Sequence, residues 1–359
     1  MRALVPLLAL ALALACGPAS AESAAAARDA RMPAMVAERY VSAAEPQDEL
    51  DSLASWKGPD GRNWLIVTAK SSHRLVVFDA DTGRRLRTVG EEGKALGAFR
   101  RPNGVAVHRD RLFVVERDNR RVQVLALPEF RPLASFGEDE LRSPYGIWLD
   151  ATEPGELVAY VTDSFMYGEH YDELPPLEEM NQRVRRYRLR FEPDGRMHAG
   201  YAGAFGETDR EQALRIVESL AGDPANDRLL IADEYRPAST LREYRFDGRA
   251  TGRSLPPDSF AAEAEGVALW TCGDGGYWIT VDQLAPYTHF HLFDRVTLAP
   301  VGSFTGRSTA HTDGIALNAQ PSQAFPSGAL FAVHDDKAIA AFDLAEIART
   351  LKLDPACTR

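Results

Sequence analysis

The sequence predicts an all-β protein, a six-bladed β-propeller, and two observations lead to this fold class. First, a short frame recurs six times, in which a polar residue precedes Gly or Ser and an alternating apolar run follows. Second, each copy is followed by two further strand-like runs in a constant order. Six units of three or four antiparallel strands describe a propeller, in which radial repetition leaves only short, protected sheet edges.

The six copies are spaced 42 to 52 residues apart, close to the repeat length of propeller blades, except for one longer interval of 73 residues. They are DSLAS (51–55), NGVAV (103–107), YGIWL (145–149), ESLAG (218–222), EGVAL (265–269) and DGIAL (313–317). The runs between them are rich in Val, Ile, Phe, Tyr and Thr, with turn residues at their ends, which is typical of strands. Only residues 207–219 and 344–353 have a helical period.

The composition fits one repeat domain rather than two. The chain has 359 residues, of which 45% are hydrophobic and 26% charged, ordinary values for a globular protein. Because each blade packs on its neighbours, a repeat array can exceed the usual domain size, so a single propeller over residues 46–359 is expected. The net charge of −11 argues against nucleic acid as a partner, since binding to the phosphate backbone needs clustered Lys and Arg.

The first 21 residues predict a secretory signal peptide. They contain one Arg, an apolar stretch too short to span a membrane and an Ala-Ser-Ala ending at Ala21. ALAC (13–16) is an imperfect lipoprotein box, so a lipid anchor at Cys16 is the alternative. The expected location is therefore secreted or periplasmic, or that of an outer-membrane lipoprotein. Residues 22–45, rich in Ala and Glu, are expected to be a disordered leader.

Two cysteines remain in the mature chain, Cys272 and Cys357. In an oxidising compartment they either form a disulfide or stay free, and the sequence leaves both alternatives open. A disulfide would attach the C-terminal tail to the fifth blade.

Acidic residues recur at the start of the predicted first strands. Because the first strand of each blade lines the central channel, the polar residues of the six frames are expected to form a ring. They are Asp51, Asn103, Tyr145, Glu218, Glu265 and Asp313. Glu263 shares the strand phase of Glu265, and Asp233, Glu234 and Asp335 end second strands near the same channel mouth.

Clustered carboxylates without counter-charge raise pKa values and cost stability, and a hard divalent cation removes that penalty. Calcium accepts six to eight oxygen ligands in a tolerant geometry, so the ring predicts calcium binding. The alternative is a channel that is polar because it holds water. Lys70 and Arg117 end the second strands of the first two blades, where later blades carry Asp. A basic side of the channel that faces an acidic one suits an anion held between basic groups and metal ions. The alternative for these two residues is ion pairing across the channel.

The order of these motifs resembles that of the β-propeller phytases, secreted calcium-dependent enzymes that remove phosphate from inositol hexakisphosphate. The segments that carry the resemblance are DSLASW (51–56), VESL (217–220), IADE (231–234), AEGV (264–267) and HTDGIA (311–316), which are similar to the family motifs D-D-P-A-x-W, T-E-G-L, I-A-E-E, I-E-G-L and D-T-D-G-I-D. The correspondence runs in order over nearly all of the mature chain.

The resemblance implies several calcium ions and a small phosphorylated anion as substrate, hydrolysed by an activated water. The calcium ligands that it implies are Asp51, Glu218, Asp233 or Glu234, Glu263, Glu265 and Asp313. It implies phosphate contacts at Lys70, Arg117 and Tyr145, and a monomer is expected. Ser52, Ala106, Ser164 and His311 stand where the family has metal-binding or phosphate-binding residues.

Two other classes fit parts of the sequence. RPNGVAV (101–107) and EGVALW (265–270) also resemble calcium-dependent propeller hydrolases of the gluconolactonase kind, in which one metal, an Asn and a few carboxylates activate a lactone. Residues 101–125 resemble non-catalytic propellers of the NHL kind, which bind a protein or glycan. The phytase interpretation requires several metals and a basic anion site, the lactonase interpretation one metal, and the binding module none.

Two further features have open interpretations. His289 and His291 share one strand face, which suits either a transition metal or a structural role, and no third ligand is evident from the sequence. Residues 165–180 lengthen the connection between the second and third strands of their blade. This acidic segment either restricts access to the channel mouth or is a passive insertion.

Overall fold

The predicted propeller is confirmed. The computed structural model describes residues 32–153, 155–192 and 195–358, and Pro33–Arg359 forms one compact unit. Six sheets are arranged around one axis, and their strands are hydrogen-bonded in chain order from the axis outward, except that the outermost strands of two sheets come from the N-terminal segment.

The first three blades are continuous in sequence. Blade 1 contains β3 to β6, which are Leu50–Lys57, Asn63–Ala69, Arg74–Asp79 and Arg85–Val89. Blade 2 contains β7 to β10, which are Pro102–His108, Arg111–Glu116, Arg121–Ala126 and Arg131–Phe136. Blade 3 contains β11 to β14, which are Pro144–Asp150, Leu157–Asp163, Val184–Phe191 and Met197–Phe205.

The last three blades include the N-terminal strands. Blade 4 contains β15 to β18, which are Val217–Asp223, Arg228–Asp233, Thr240–Tyr244 and Ala250–Ser254. Blade 5 contains β19 to β22, which are Ala264–Cys272, Gly275–Asp282, His289–Asp294 and Pro300–Thr305, with β1, Ala34–Met35, parallel to β22 at its edge. Blade 6 contains β23 to β25, which are Ile315–Asn318, Ala329–His334 and Ala338–Asp343, with β2, Tyr40–Val41, as its outer strand.

The Gly of the repeated frame lets neighbouring first strands approach each other at the axis. A Cβ at Gly146 would lie 2.3 Å from the carbonyl oxygen of Glu218, and one at Gly314 would lie 2.6 Å from that of Asp51. Such distances are far below van der Waals contact, so a larger residue would push the blades apart. The Gly of the frame is therefore required by the close packing of the first strands at the centre of the propeller.

The core lies between the blades rather than in one central mass. Alternating strand residues from neighbouring blades form separate apolar clusters, such as the one that joins Leu65 and Val67 of blade 1 to Phe331 and Val333 of blade 6. Because the side chains of a strand alternate between its two faces, each blade contributes to two clusters. This is the packing expected when each repeat contacts only its neighbours.

The expectation of a disordered leader is wrong for residues 34–41. These residues form β1 and β2, and between them Val36 is fully buried. The carboxylate of Glu38 accepts hydrogen bonds from the amides of Arg307 and Thr309 at 2.9 Å each. The composition of this segment did not reveal that its strands complete the last two blades. Residues 1–31, with the expected signal peptide and Cys16, lie outside the described residues.

One of the two helical segments is confirmed. Helix α1, Leu344–Leu351, follows the last strand and is capped by Asp343, whose side chain accepts the amide of Ala345. Residues 207–216 form no helix, and Val217–Asp223 is the first strand of blade 4. Short 3-10 helices occur at Leu177–Gln182, Pro224–Asn226, Pro257–Ser259 and Pro355–Thr358.

The C-terminal tail is joined to blade 5 by a disulfide between Cys272 and Cys357, which decides the alternative left open by the sequence. The bond links the end of β19 to the last 3-10 helix across 85 residues. Among the described residues, no helix has the length and apolar character needed to cross a membrane.

Candidate functional site

The structure brings most of the predicted ring residues to one place at the axis. A cavity of about 10 Å³, which has room for about one water-sized species, is lined by five of them. These five are Asp51, Tyr145, Glu218, Glu265 and Asp313. Asn103, the sixth, is also fully buried. The repeated frame therefore gathers its polar residues as the sequence predicted.

The acidic residues are divided into a half that shares the charge of Lys70 and an uncompensated half. In the first half, Lys70 Nζ lies 3.0 Å from Asp51 Oδ1 and 3.3 Å from Asp313 Oδ2. The amide of Gln283 also donates a hydrogen bond to Asp313. Glu49 lies 3.7 Å from Lys70 and 2.9 Å from Arg101. The ion pairing that the sequence offered as the alternative for Lys70 is therefore present. The ammonium that was predicted to contact phosphate is engaged by Asp51 and Asp313.

In the uncompensated half, three glutamates face one another. Glu218 and Glu265 come from the first strands of blades 4 and 5, and Glu234 directly follows the second strand of blade 4. One carboxylate oxygen of each lies within 4.8 Å of the others. Burial raises the pKa of Glu218 to about 8, with the charges of Asp51 and Asp313 adding to the effect. Burial, and then the neighbouring Glu218, raise the pKa of Glu234 and Glu265 well above the ordinary value.

A divalent cation fits this half of the ring. Glu234 Oε1 and Glu265 Oε2 are buried and lack any hydrogen-bond partner, which is costly for a carboxylate unless it is protonated or coordinated. Neither side-chain amide atom of the buried Asn103 has a partner. Carboxylate and amide oxygens are the ligands that calcium prefers. We refer to Glu218, Glu234 and Glu265 as the triglutamate site.

Three other residues predicted as metal ligands lie apart from this site. Asp233 points toward the start of its own blade, where it accepts the amides of Arg215 and Ile216 at 3.2 and 3.0 Å and lies 3.4 Å from Arg242. Of the two alternatives that the sequence motif left open, Asp233 and Glu234, the residue that reaches the axis is Glu234.

Asp335 is half-exposed and pairs with Lys337 at 2.6 Å, away from the triglutamate site. Glu263 is half-buried and is not part of the triglutamate site, although its backbone carbonyl accepts the amide of Gln283. The β-bulge between Ala264 and Val267 changes the strand phase, so a spacing of two residues from Glu265 does not direct Glu263 to the same point.

A basic pocket lies beside the ring at the mouth of blades 2 and 3. It has a volume of about 420 Å³ and is lined by Arg117, Arg120, Arg142 and Tyr171, together with Asp118 and Ser143. Arg117 pairs with Asp118 at 2.8 Å and lies close to Tyr145, which lines the axial cavity. The pocket is therefore connected to the carboxylates through one residue. Burial, and then the charge of Glu218, raise the pKa of Tyr145, so its hydroxyl stays protonated at neutral pH.

The insertion at 165–180 forms part of this pocket. Tyr171 contributes to the lining, and Glu179 holds the guanidinium of Arg142 at 2.9 Å. Arg142 also lies 3.7 Å above the ring of Phe165. These contacts favour the view that the insertion restricts access to the mouth. The insertion also supplies a counter-charge, because Glu179 pairs with Arg142 as Asp118 pairs with Arg117.

Sequence reasoning missed Arg120 and Arg142, which flank the predicted Arg117. Arg120 follows the second strand of blade 2 by four residues, and Arg142 precedes the first strand of blade 3 by two. Both are loop positions outside the repeated frame, so no strand pattern pointed to them. The propeller topology could have indicated them, because it places the loop after a second strand and the loop before a first strand on the same face of the propeller.

Comparisons with known proteins support the fold. No protein-family model matches the sequence, and no curated protein matches it. Among solved structures, a gluconolactonase from Xanthomonas campestris is similar with a TM-score of 0.50 and 15% identity, over 82% of this chain and 85% of that one. A chain of a nidogen/laminin complex has a TM-score of 0.49 and 16% identity, over 76% and 85%. The first of these likenesses supports the propeller architecture.

Proposed function

We propose that this protein is a divalent-cation-dependent hydrolase of the gluconolactonase kind, which opens a cyclic ester that carries a negative charge. The observation that supports this proposal is the position of the triglutamate site beside an arginine-lined pocket, with Tyr145 between them. A propeller structure that is similar to this one belongs to a gluconolactonase.

The carboxylates favour one cation rather than several. Asp51 and Asp313 already share the ammonium of Lys70, so these two residues are poor ligands for a second ion. Of the three glutamates that remain, Glu234 and Glu265 each have an unpartnered oxygen, and one oxygen of each of the three lies within 4.8 Å of the others. A phytase-type phosphatase needs several calcium ions and a free lysine for phosphate, and both requirements conflict with the ion pairs of Lys70. The phosphatase prediction from the sequence therefore becomes the second interpretation.

The triglutamate residues would hold the cation, which supplies Lewis-acid polarisation of the ester carbonyl when bound. Arg117, Arg120 and Arg142 bind the anionic group of the substrate, and Glu179 orients Arg142 for that contact. Tyr145 keeps its proton and donates a hydrogen bond to the substrate oxygen that gains negative charge. Tyr171 and the rest of the insertion limit the entry of water above the pocket.

The test is hydrolysis by purified protein that has been treated with chelator and then supplied with calcium, manganese or zinc. The substrates are a neutral aldonolactone, a lactone with a carboxylate group, and phytate. We expect cation-dependent opening of the carboxylated lactone in preference to the neutral one, measured as acid release. The preference should fall at least tenfold in Arg117→Gln, while Arg253→Gln, a change at an exposed arginine of blade 4, should leave it unchanged.

Phosphate release from phytate without lactone opening would overturn the proposal in favour of the phosphatase interpretation. A protein that binds the cations and hydrolyses none of the substrates would be classed as a binding propeller.

A further inference from the structure

Blade 5 contains a second group of metal-ligating side chains, separate from the triglutamate site. Asp282 ends β20, and His289 and His291 lie on the adjoining strand β21. One ligand atom of each lies within 4.8 Å of the others. His289 is directly opposite Asp282 in the sheet, and His291 is two residues further along the same face. The third ligand that was not evident from the sequence is therefore supplied by the neighbouring strand.

The other blades provide an internal comparison. In blades 3 and 4 the second strand also ends in an aspartate that accepts two backbone amides from the segment before the first strand, Asp163 and Asp233. Each of these pairs with an arginine on the third strand, Arg185 at 3.1 Å and Arg242 at 3.4 Å. The arginines lie opposite residues two before the aspartate, which is the register of His291. Blade 5 therefore has an imidazole where its neighbours have a guanidinium.

The substitution leaves polar atoms without partners. His291 Nε2 lies 3.7 Å from Asp282 Oδ2, beyond hydrogen-bond distance, and is buried without a partner. The hydroxyl of Thr280, the residue opposite His291, is also buried and unpartnered. His291 Nδ1 contacts Ser303 Oγ at 2.8 Å, which fixes the ring with Nε2 toward Asp282. This is the arrangement that orients an imidazole for a metal.

The carboxylate of Asp282 is held in place by the backbone amides of Ala261 and Ala262, which donate hydrogen bonds to it. The two amides lie 2.9 and 2.8 Å from the carboxylate, one on each oxygen. Each oxygen retains a lone pair for a cation.

We infer that Asp282, His289 and His291 bind a divalent transition-metal ion of the zinc or nickel class, between the second and third strands of blade 5. Imidazole ligands select such metals over calcium, so this site is chemically distinct from the triglutamate site. Metal–ligand bonds of about 2.1 Å place tetrahedral ligand atoms about 3.4 Å apart, so atoms that lie within 4.8 Å of one another must close by up to about 1.4 Å. Three protein ligands leave at least one position of the metal open to solvent.

The experiment uses cobalt(II) as a spectroscopic probe on chelator-treated protein saturated with calcium. We expect one equivalent of cobalt to bind with visible absorption bands and to be displaced by zinc. In His291→Arg, which reproduces the pairing of blades 3 and 4, the bands should be lost and the affinity should fall at least 100-fold, with the melting temperature of the metal-free protein retained. His289→Ala should also weaken binding at least tenfold.

Glu218→Gln is the matched control, because it changes the triglutamate site and should leave the cobalt bands unchanged. Cobalt binding that survives in His291→Arg, or that is lost in Glu218→Gln, would overturn the inference. So would the absence of binding to the unaltered protein at millimolar cobalt, in which case His291 serves only as the partner of Asp282. Neither result bears on the lactone assay, so this inference and the proposed function fail independently.

Discussion

The ammonium of Lys70 lies 3.3 Å from the carboxylate of Asp313, which is 243 residues away in sequence. Both side chains are largely buried, and Asp51 shares the same ammonium at 3.0 Å. The contact connects the first blade with the last one at the axis. It also determines which acidic residues of the ring remain available to a cation.

Replacing Lys70 by Met is expected to destabilise the protein by about 3–5 kcal/mol, because it leaves two buried carboxylates without their counter-charge. The free energy of unfolding from denaturant titration measures this loss. Lys337→Met is the control, since the pair of Lys337 with Asp335 is 43% exposed on both sides and should contribute little to stability. Equal losses in the two variants would contradict the assignment of Lys70 as a buried structural cation.

Glu234→Gln is expected to weaken calcium binding at least tenfold, because it removes one charge from the triglutamate site. Asp335→Asn should leave the affinity unchanged, although its sequence position also follows a second strand. Isothermal titration calorimetry of both variants gives the comparison. Similar affinities in Glu234→Gln and the unaltered protein would place the calcium elsewhere.

The stability of the cation-free protein is expected to fall as the pH rises from about 4.5 to about 8. Burial raises the pKa of Glu218 to about 8 and, with Asp51, that of Asp313 to about 8, so the folded state keeps protons that the unfolded state has released. Each such group reduces the free energy of unfolding by about 1.4 kcal/mol per pH unit in this window. Melting temperatures measured with chelator at several pH values test this slope.

Saturating calcium should reduce that slope, because cation binding to the folded state replaces the protons and adds stability by mass action. The Glu218→Gln variant without calcium should also show a flatter profile than the unaltered protein. A melting temperature that rises with pH across this window in chelator would contradict the protonated triglutamate site.

Glu38→Gln is expected to destabilise the propeller by about 1 kcal/mol, since three amides and two hydroxyls around Arg307–Thr309 lose a charged acceptor. Burial opposes ionisation, but the hydroxyl of Thr309 and these amides lower the pKa of Glu38 to about 2. The stabilisation is therefore present above pH 4.5 and is lost as the pH falls toward 2. Unfolding at pH 7 and pH 2.5 should show a larger difference between the variants at pH 7 than at pH 2.5.

Replacement of Cys272 and Cys357 by Ala is expected to lower the free energy of unfolding by about 2–4 kcal/mol, because the bond closes a long loop in the unfolded chain. Adding dithiothreitol to the unaltered protein should produce a similar loss and should have no further effect on the double variant. A reductant effect that persists in the double variant would have another cause.

The sequence was sufficient for the fold and for much of the ring, because each blade repeats one packing problem. Gly146 and Gly314 lie where strands meet at the axis, and the residue before each projects into the channel. The position of a residue in the repeated frame therefore predicts that it lines the channel. Asp233 was wrongly predicted as a metal ligand, because the aspartate that ends the second strand of a blade has a different role. It accepts the amides that begin its own blade, as Asp163 and Asp282 do in theirs.

The remaining parts of the site depend on partners that the sequence does not place side by side. The ammonium of Lys70 pairs with carboxylates from two blades. Arg142 is oriented by an insertion that has no counterpart in the repeat. The strands at 34–41 were hidden for a similar reason. Each is only two residues long, and its hydrogen-bond partner lies near the other end of the chain.

The pairing of β2 with β25 means that an N-terminal strand of the propeller must wait for one of the last strands during synthesis. Until residues 315–343 have been made, blade 6 lacks its inner strands and blade 1 has an exposed flank on the side that later meets Phe331 and Val333. Loss of residues 34–41 should leave blade 6 without its outer strand, and loss of residues 338–343 should leave β2 without its partner, so a cut near either terminus damages the same blade.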